Sequence, residues 1–158
     1  MNANYARWLR EHVGHEPVFL NAASAIIVDN SGKILLQRRG EGESSNSWSL
    51  PGGIMELGER SQETVRREVK EETGLDVEIG RFVGVYATPE LVYYPNSDAC
   101  QMVTQVFECK IIGGKLKADG HETLELVYFD LKDRPKLFRP HLERALGDFE
   151  SGRFGNSY

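Results

Sequence analysis

Glu68, Glu71 and Glu72 place three carboxylates within one short helical segment. At about 100° per residue, Glu68 and Glu72 lie one turn apart and nearly eclipsed, with Glu71 about 60° to the other side of Glu68. Clustered carboxylates repel one another unless positive charge sits among them. A hard divalent cation such as Mg²⁺ or Mn²⁺ accepts this all-oxygen set, keeps waters and bridges to phosphate oxygens. The chemistry such a stripe supports is a bound divalent cation acting on a phosphate group. The competing reading is a solvated helix face laced with ion pairs. Glu63–Arg67 and Arg67–Glu71 are both i,i+4 opposites, each contributing about 0.2–0.5 kcal/mol.

Ion pairing accounts for neither the flanking glycines nor the spacing. Gly53 is followed by five residues, Glu59, seven residues, Arg67-Glu68-Val69, Lys70, Glu71-Glu72, Thr73 and Gly74-Leu75. A match of this kind arises by accident with odds on the order of one in a million in a chain this long. The segment resembles the Nudix box, complete at every position, and the chain is similar to the Nudix hydrolases. The resemblance implies that the loop–helix–loop holds Mg²⁺ or Mn²⁺ through Glu68 and Glu72, with Glu71 close by, often through water. It also implies that the Gly52 carbonyl completes the metal site, and that Glu59 steadies Arg67 so that helix and loop keep their geometry. Family members differ in their general base, which here is the box residue Glu71 or a Glu in a later loop before a strand. Asp119-Gly120-His121-Glu122-Thr123-Leu124-Glu125 has that form, with Glu122 the first choice and Glu125 the second, or either an ordinary exposed Glu.

Three features outside the box suit a substrate. Arg38-Arg39 closes a strand next to the box loop, where two guanidiniums suit phosphate, or form a basic strand end in solvent. The stretch 87–99 holds Tyr93-Tyr94, which suit a base sandwich, and Asn96 and Asp98, which suit its edge or sugar hydroxyls; a plain Pro-Asn-Ser-Asp turn is the alternative. Trp48 reads as packing more than stacking. Subfamily spacing leaves the substrate open, because Pro89 and Tyr93 nearly satisfy the patterns of both ADP-ribose and dinucleoside polyphosphate enzymes. ADP-ribose-like compounds, dinucleoside polyphosphates, nucleoside triphosphates and an RNA 5′ end all remain in view. A non-catalytic nucleotide-sensing protein is the alternative class. Such relatives carry a DNA-binding appendage or have lost box carboxylates, and this sequence shows neither.

These residues need elements to hold them. Ser61 reads as the N-cap of a helix over 62–73 that Gly74 ends in the left-handed conformation, with Val65 and Val69 as its docking stripe. Tyr5, Trp8, Leu9 and Val13 predict a helix over 2–13 that covers a sheet edge or meets a second subunit, so a homodimer is possible. Strands are predicted at 19–29, 33–38, 76–86, 101–112 and 124–129, a polar loop at 39–47, a Gly113-Gly114 turn, and a helix at 141–149. An α/β fold follows, a mixed sheet with helices on both faces. The resemblance agrees, implying a Nudix-type α/β/α sandwich with a central mixed β-sheet and a core over about residues 20–150. The expectation is one domain over 1–158, with 1–14 as a helical extension and 151–158 as a loose tail.

The chain has 158 residues, 27% of them charged, and a net charge of −5. That balance argues against a nucleic-acid binder held by a basic surface, though a nucleotide partner remains compatible because metal ions supply the positive charge. Cys100 and Cys109 fit no zinc spacing and no disulfide framework. The sequence shows no signal-peptide pattern and no apolar run of about eighteen residues, so the expectation is a cytoplasmic protein without a membrane partner.

Overall fold

The computed structural model describes residues 4–40 and 45–157. Residues 2 and 3 of the predicted first helix, 41–44 of the predicted polar loop, and 158 lie outside the described residues. In chain order the elements are α1 (Tyr5–Val13), β1 (Val18–Val28), β2 (Ile34–Arg39), β3 (Trp48–Ser49), β4 (Gly52–Ile54), α2 (Ser61–Thr73), β5 (Leu75–Ala87), β6 (Val92–Tyr93), β7 (Ala99–Gly114), β8 (Thr123–Phe129), α3 (Pro140–Glu150) and β9 (Asn156–Ser157).

One mixed sheet carries them, in the order β3-β2-β1-β7-β5-β9, with β4 on β1, β6 on β7 and β8 on β2. β1 runs parallel to β7 along its whole length, and β7 pairs antiparallel with β5. Period-2 alternation sorts the apolar side chains onto two faces. Ile26, Ile34, Leu36 and Val106 pack with Leu142, Ala145 and Leu146 of α3. Their neighbours Ala25, Ile27, Leu35 and Phe107 pack with Val65 and Val69 of α2. A helix on each face of a mixed sheet is the α/β/α architecture expected, and no helix among the described residues is long and apolar enough to cross a membrane.

Several local expectations change. Ser61 is already helical. The N-cap is Arg60, whose backbone N–H donates to Glu63 Oε2 at 2.7 Å, so the acidic side chain reaching back satisfies the helix start in place of a Ser hydroxyl. Gly74 ends the helix in the left-handed conformation, φ 73°, as predicted. Gly113-Gly114 does not turn the chain. β7 runs through Gly114 and pairs with Leu75 and Asp76, which follow α2 directly.

The stretch 87–99 is a hairpin, with β6 pairing to β7 at Val92↔Cys100 and Tyr93↔Ala99, closed by hydrogen bonds between Tyr94 and residues 97–98. The tail is not loose: β9 pairs in parallel with β5 at Gly84 and Val85. Phe154 packs edge-on to Phe149, and the Arg81 guanidinium lies 3.9 Å from the Phe154 ring centroid. The edge strand β5 presents unpaired backbone groups that this segment covers, and Phe154 was the sequence signal for it.

Candidate active site

α2 and the loop before it are joined through Arg67. Its Nε and Nη2 donate to the two oxygens of Glu59 at 2.6 and 2.9 Å, its Nη1 to Glu68 Oε1 at 2.6 Å, and its Nη2 to the Ile54 carbonyl at 3.1 Å. Glu59 also accepts from the Glu56 N–H and the Thr64 hydroxyl. The guanidinium holds Glu59 down to about 2, so this pair stays ionised well into acid. A planar fork that bonds a carboxylate through two nitrogens fixes angle as well as distance, which a lysine does not.

One turn on, Glu72 is only 5% exposed. The Gly52 N–H donates to its Oε2 at 2.8 Å, and the Gln37 side-chain amide to its Oε1 at 3.1 Å. Burial nevertheless pushes Glu72 up to about 8, because two neutral donors do not replace the water it has lost. Glu68 beside it is also raised by burial, with Arg67 opposing. Gly53 has no Cβ, and any Cβ there would run into the Glu68 carboxyl group, so glycine at this point lets the loop close over the helix.

A cavity of about 350 Å³ opens in front of these residues. Glu68, Glu72, Glu122, Gly52, Gly53 and Arg39 line it. Tyr94, Phe138, Arg139, Thr104 and His141 form more of its wall, and Asn4 and Ala6 from the start of α1 reach it too. Burial raises the Tyr94 phenol, so it remains a hydrogen-bond donor. His141 Nε2 lies 3.2 Å from the Thr104 hydroxyl, and burial drops the imidazole to about 4, leaving it neutral near pH 7.

The structure therefore brings together Gly52, Glu68, Glu72, Glu122, Arg39 and Tyr94, with Glu59 and Arg67 bracing them from behind. The other candidates stand apart from the cavity. Glu71 is 61% exposed and lies 3.5 Å from Arg67. Arg38 pairs with Glu125 at 2.8 Å and donates to Asn46, pointing away from Arg39 as strand alternation requires. Tyr93 is 63% exposed and does not line the cavity, whereas Tyr94 does, so the two rings do not form a sandwich there. Asn96 donates to Asp98 within the hairpin turn, and Asp98 in turn pairs with His15 and Arg10. Trp48 packs edge-on to Phe129, 5.1 Å between centroids.

Sequence reasoning missed Gln37, Thr104, Arg139 and His141. Gln37 had a signal, as the one amide following the apolar run Ile34-Leu35-Leu36. The others are placed by strand and helix pairing from distant segments, which no local pattern announces.

The residues fit a divalent cation. Two carboxylates on successive turns, Glu72 buried and Glu68 partly buried, are both raised, and a positive ion between them would lower both. Among the described residues no three His, Cys, Asp or Glu side chains form a ready cage, so backbone carbonyl and water oxygens would complete the coordination.

The NUDIX domain model matches residues 18–149. An ADP-ribose pyrophosphatase of Methanocaldococcus jannaschii is 37% identical over 134 residues, covering 84% of this chain and 75% of that protein. A human 8-oxo-dGDP phosphatase is 31% identical over 120 residues, covering 74% of this chain and 34% of that protein. Among solved structures, a MutT NUDIX hydrolase from Burkholderia pseudomallei superposes with a TM-score of 0.70 at 25% identity, covering 84% of this chain and 98% of that one.

Proposed function

Because this chain belongs to the NUDIX family, we propose that it is a metal-dependent pyrophosphohydrolase that cleaves the diphosphate bond of a nucleoside diphosphate linked to another group. The observation that carries this reading is the buried Glu72 carboxylate, held by the Gly52 amide beside Glu68 at the wall of the cavity. Glu68 and Glu72 would hold Mg²⁺ or Mn²⁺, with the Gly52 carbonyl nearby and Glu71 acting through water. Held there, such an ion would supply positive charge for the diphosphate and the leaving phosphate and would make a bound water more acidic.

The chain's own residues supply the rest. Glu122 takes a proton from the attacking water, a reading supported by its position in the cavity lining, from which the exposed Glu71 is absent. Arg39 sets a guanidinium near Glu72 for phosphate oxygens, and Tyr94 offers a phenol O–H to the substrate. The neutral His141 and Thr104 present uncharged polar atoms to the group attached beyond the diphosphate.

ADP-ribose heads the substrate list, because the relative that is 37% identical is named for it. The test is product analysis after incubating the full chain with ADP-ribose, diadenosine polyphosphates, nucleotide sugars, nucleoside triphosphates and a 5′-triphosphorylated RNA, with Mg²⁺ or Mn²⁺. Release of a nucleoside monophosphate and a phosphorylated remainder from ADP-ribose is the expected result. Tight binding of one compound with no cleavage of any would replace the hydrolase with a nucleotide sensor.

A further inference from the structure

Gln37 is 1% exposed in the middle of β2, among leucines and isoleucines, where a buried amide survives only if its hydrogen bonds are met. Its Nε2 donates to Glu72 Oε1 at 3.1 Å and toward the Leu50 carbonyl at 3.4 Å. Its Oε1 accepts from the Thr123 hydroxyl at 2.9 Å, and Thr123 is fully buried. The amide orientation is set by the Leu50 carbonyl, which accepts in every state, and by the Glu72 carboxylate when ionised, since a flip would turn the amide oxygen toward both. Thr123 follows Glu122 directly, and the Glu122 carbonyl accepts from the Gly40 N–H at 2.8 Å, so the start of β8 is pinned at two adjacent residues. A line of hydrogen bonds thus runs from the Thr123 hydroxyl through Gln37 to Glu72 and on to the Gly52 amide. It crosses the core between the helix bearing Glu72 and the loop bearing Glu122.

Resting on the hydrolase reading above, we infer that Gln37 is a positioning residue: with Thr123 it fixes which way the Glu72 carboxylate faces and holds the Glu122 loop in register with it. The chemistry needs this because Glu72 sits on a helix and Glu122 just before a strand, and Gln37 of β2 bonds Glu72 and Thr123 together. Partners that orient a metal-binding side chain typically change metal affinity about 10–100-fold when removed. Gln37 is therefore expected to act on ion binding and on turnover, and little on substrate affinity.

The test uses the full chain with Mn²⁺ alone, titrated by electron paramagnetic resonance, alongside kcat and KM for the substrate found in the panel. Gln37→Leu keeps the volume and removes the amide. It should weaken Mn²⁺ binding about tenfold or more and lower kcat, with KM within about twofold. Should Gln37→Leu fail to fold, Thr123 carries the test: Thr123→Val keeps the shape without the hydroxyl and should show a smaller loss of the same kind, while Thr123→Ser should restore the wild-type values. Mn²⁺ binding lost in Glu72→Ala but unchanged in folded Gln37→Leu and in Thr123→Val would overturn the positioning role alone. A wild-type protein that binds no Mn²⁺ would overturn the site reading and this role with it.

Discussion

The Gly52 N–H donates to Glu72 Oε2 at 2.8 Å, tying a carboxylate in the last turn of α2 to the amide that opens the loop before it. Twenty residues of chain close on themselves at that bond. The closure explains why glycine stands at positions 52 and 53. The Gly52 backbone passes so close to β1 that a Cβ there would meet Ser24 Cα at 2.6 Å, and Gly53 lies against Glu68.

A buried Glu72 raised from 4.5 to about 8 makes the metal-free protein pH-sensitive in an unusual direction. Its folded pKa exceeds the unfolded one, so its contribution is full below about pH 4.5 and is lost as pH rises through 8. The neutral His141, depressed to about 4, changes stability only below about pH 6.5, and the Glu59–Arg67 pair only in stronger acid. The window from pH 7 to 8 lies above His141 and below the range of the Cys109 thiol, which burial pushes from 9 up to about 12, so there the dependence comes from Glu72 with its neighbour Glu68, also raised by burial. In EDTA the melting temperature of the wild type should fall across that window, by about 1.4 kcal/mol at most in stability terms for Glu72, while Glu72→Gln falls less. Equal slopes for the two proteins would show that burial does not hold Glu72 protonated.

Arg67 and Glu59 form a unit that neither a lysine nor an amide reproduces. Arg67→Lys should destabilise the protein by about 1.5–3 kcal/mol, because charge-assisted bonds to Glu59 and Glu68 are lost together. Glu59→Gln should destabilise it less. Their double variant should show less than the sum in denaturant titration, and strict additivity would separate the two residues.

Glu122 and Glu71 make opposite predictions for proton transfer. Glu122→Gln should lower kcat by about 10²–10⁴ at unchanged Mn²⁺ affinity, whereas Glu71→Gln should cost about tenfold or less. The reverse order would move the general base to α2.

α1 buries none of its residues fully, and polar contacts dock it at both ends. The Tyr5 N–H donates to Glu56 at 2.7 Å, and Arg10 bonds the Ala99 carbonyl at 2.6 Å and pairs with Asp98 at 3.5 Å. Since Asn4 and Ala6 reach the cavity, Arg10→Ala should raise KM several-fold with little change in melting temperature. Faster amide exchange over residues 5–13 would accompany it; unchanged exchange and unchanged KM would show that α1 docks independently of Arg10.

The box was legible in the sequence because its residues are close along the chain and answer to one helix period. Glu68, Glu72, Gly74 and the two-faced sheet followed from local pattern alone. The substrate wall was not legible in the same way. As pairs, Arg38-Arg39 and Tyr93-Tyr94 suggest two arms each, yet only Arg39 and Tyr94 reach the cavity: Arg38 points to the other face of β2, and Tyr93 ends β6 exposed. Gln37, Thr104 and His141 were missed because their partners lie 35, 37 and 86 residues away along the chain. The closing strand β9 went unread because a strand of two residues has no period to detect.

The central claim is that Glu68 and Glu72 carry the ion that drives hydrolysis. Its most direct test is the steady-state rate on ADP-ribose with Mg²⁺, comparing wild type with Glu72→Ala of unchanged circular dichroism. The predicted result is a loss of about 10³-fold or more in kcat in the variant, and no wild-type turnover in EDTA. A folded Glu72→Ala that hydrolyses ADP-ribose within about tenfold of wild type, or wild-type turnover persisting in EDTA, would contradict it.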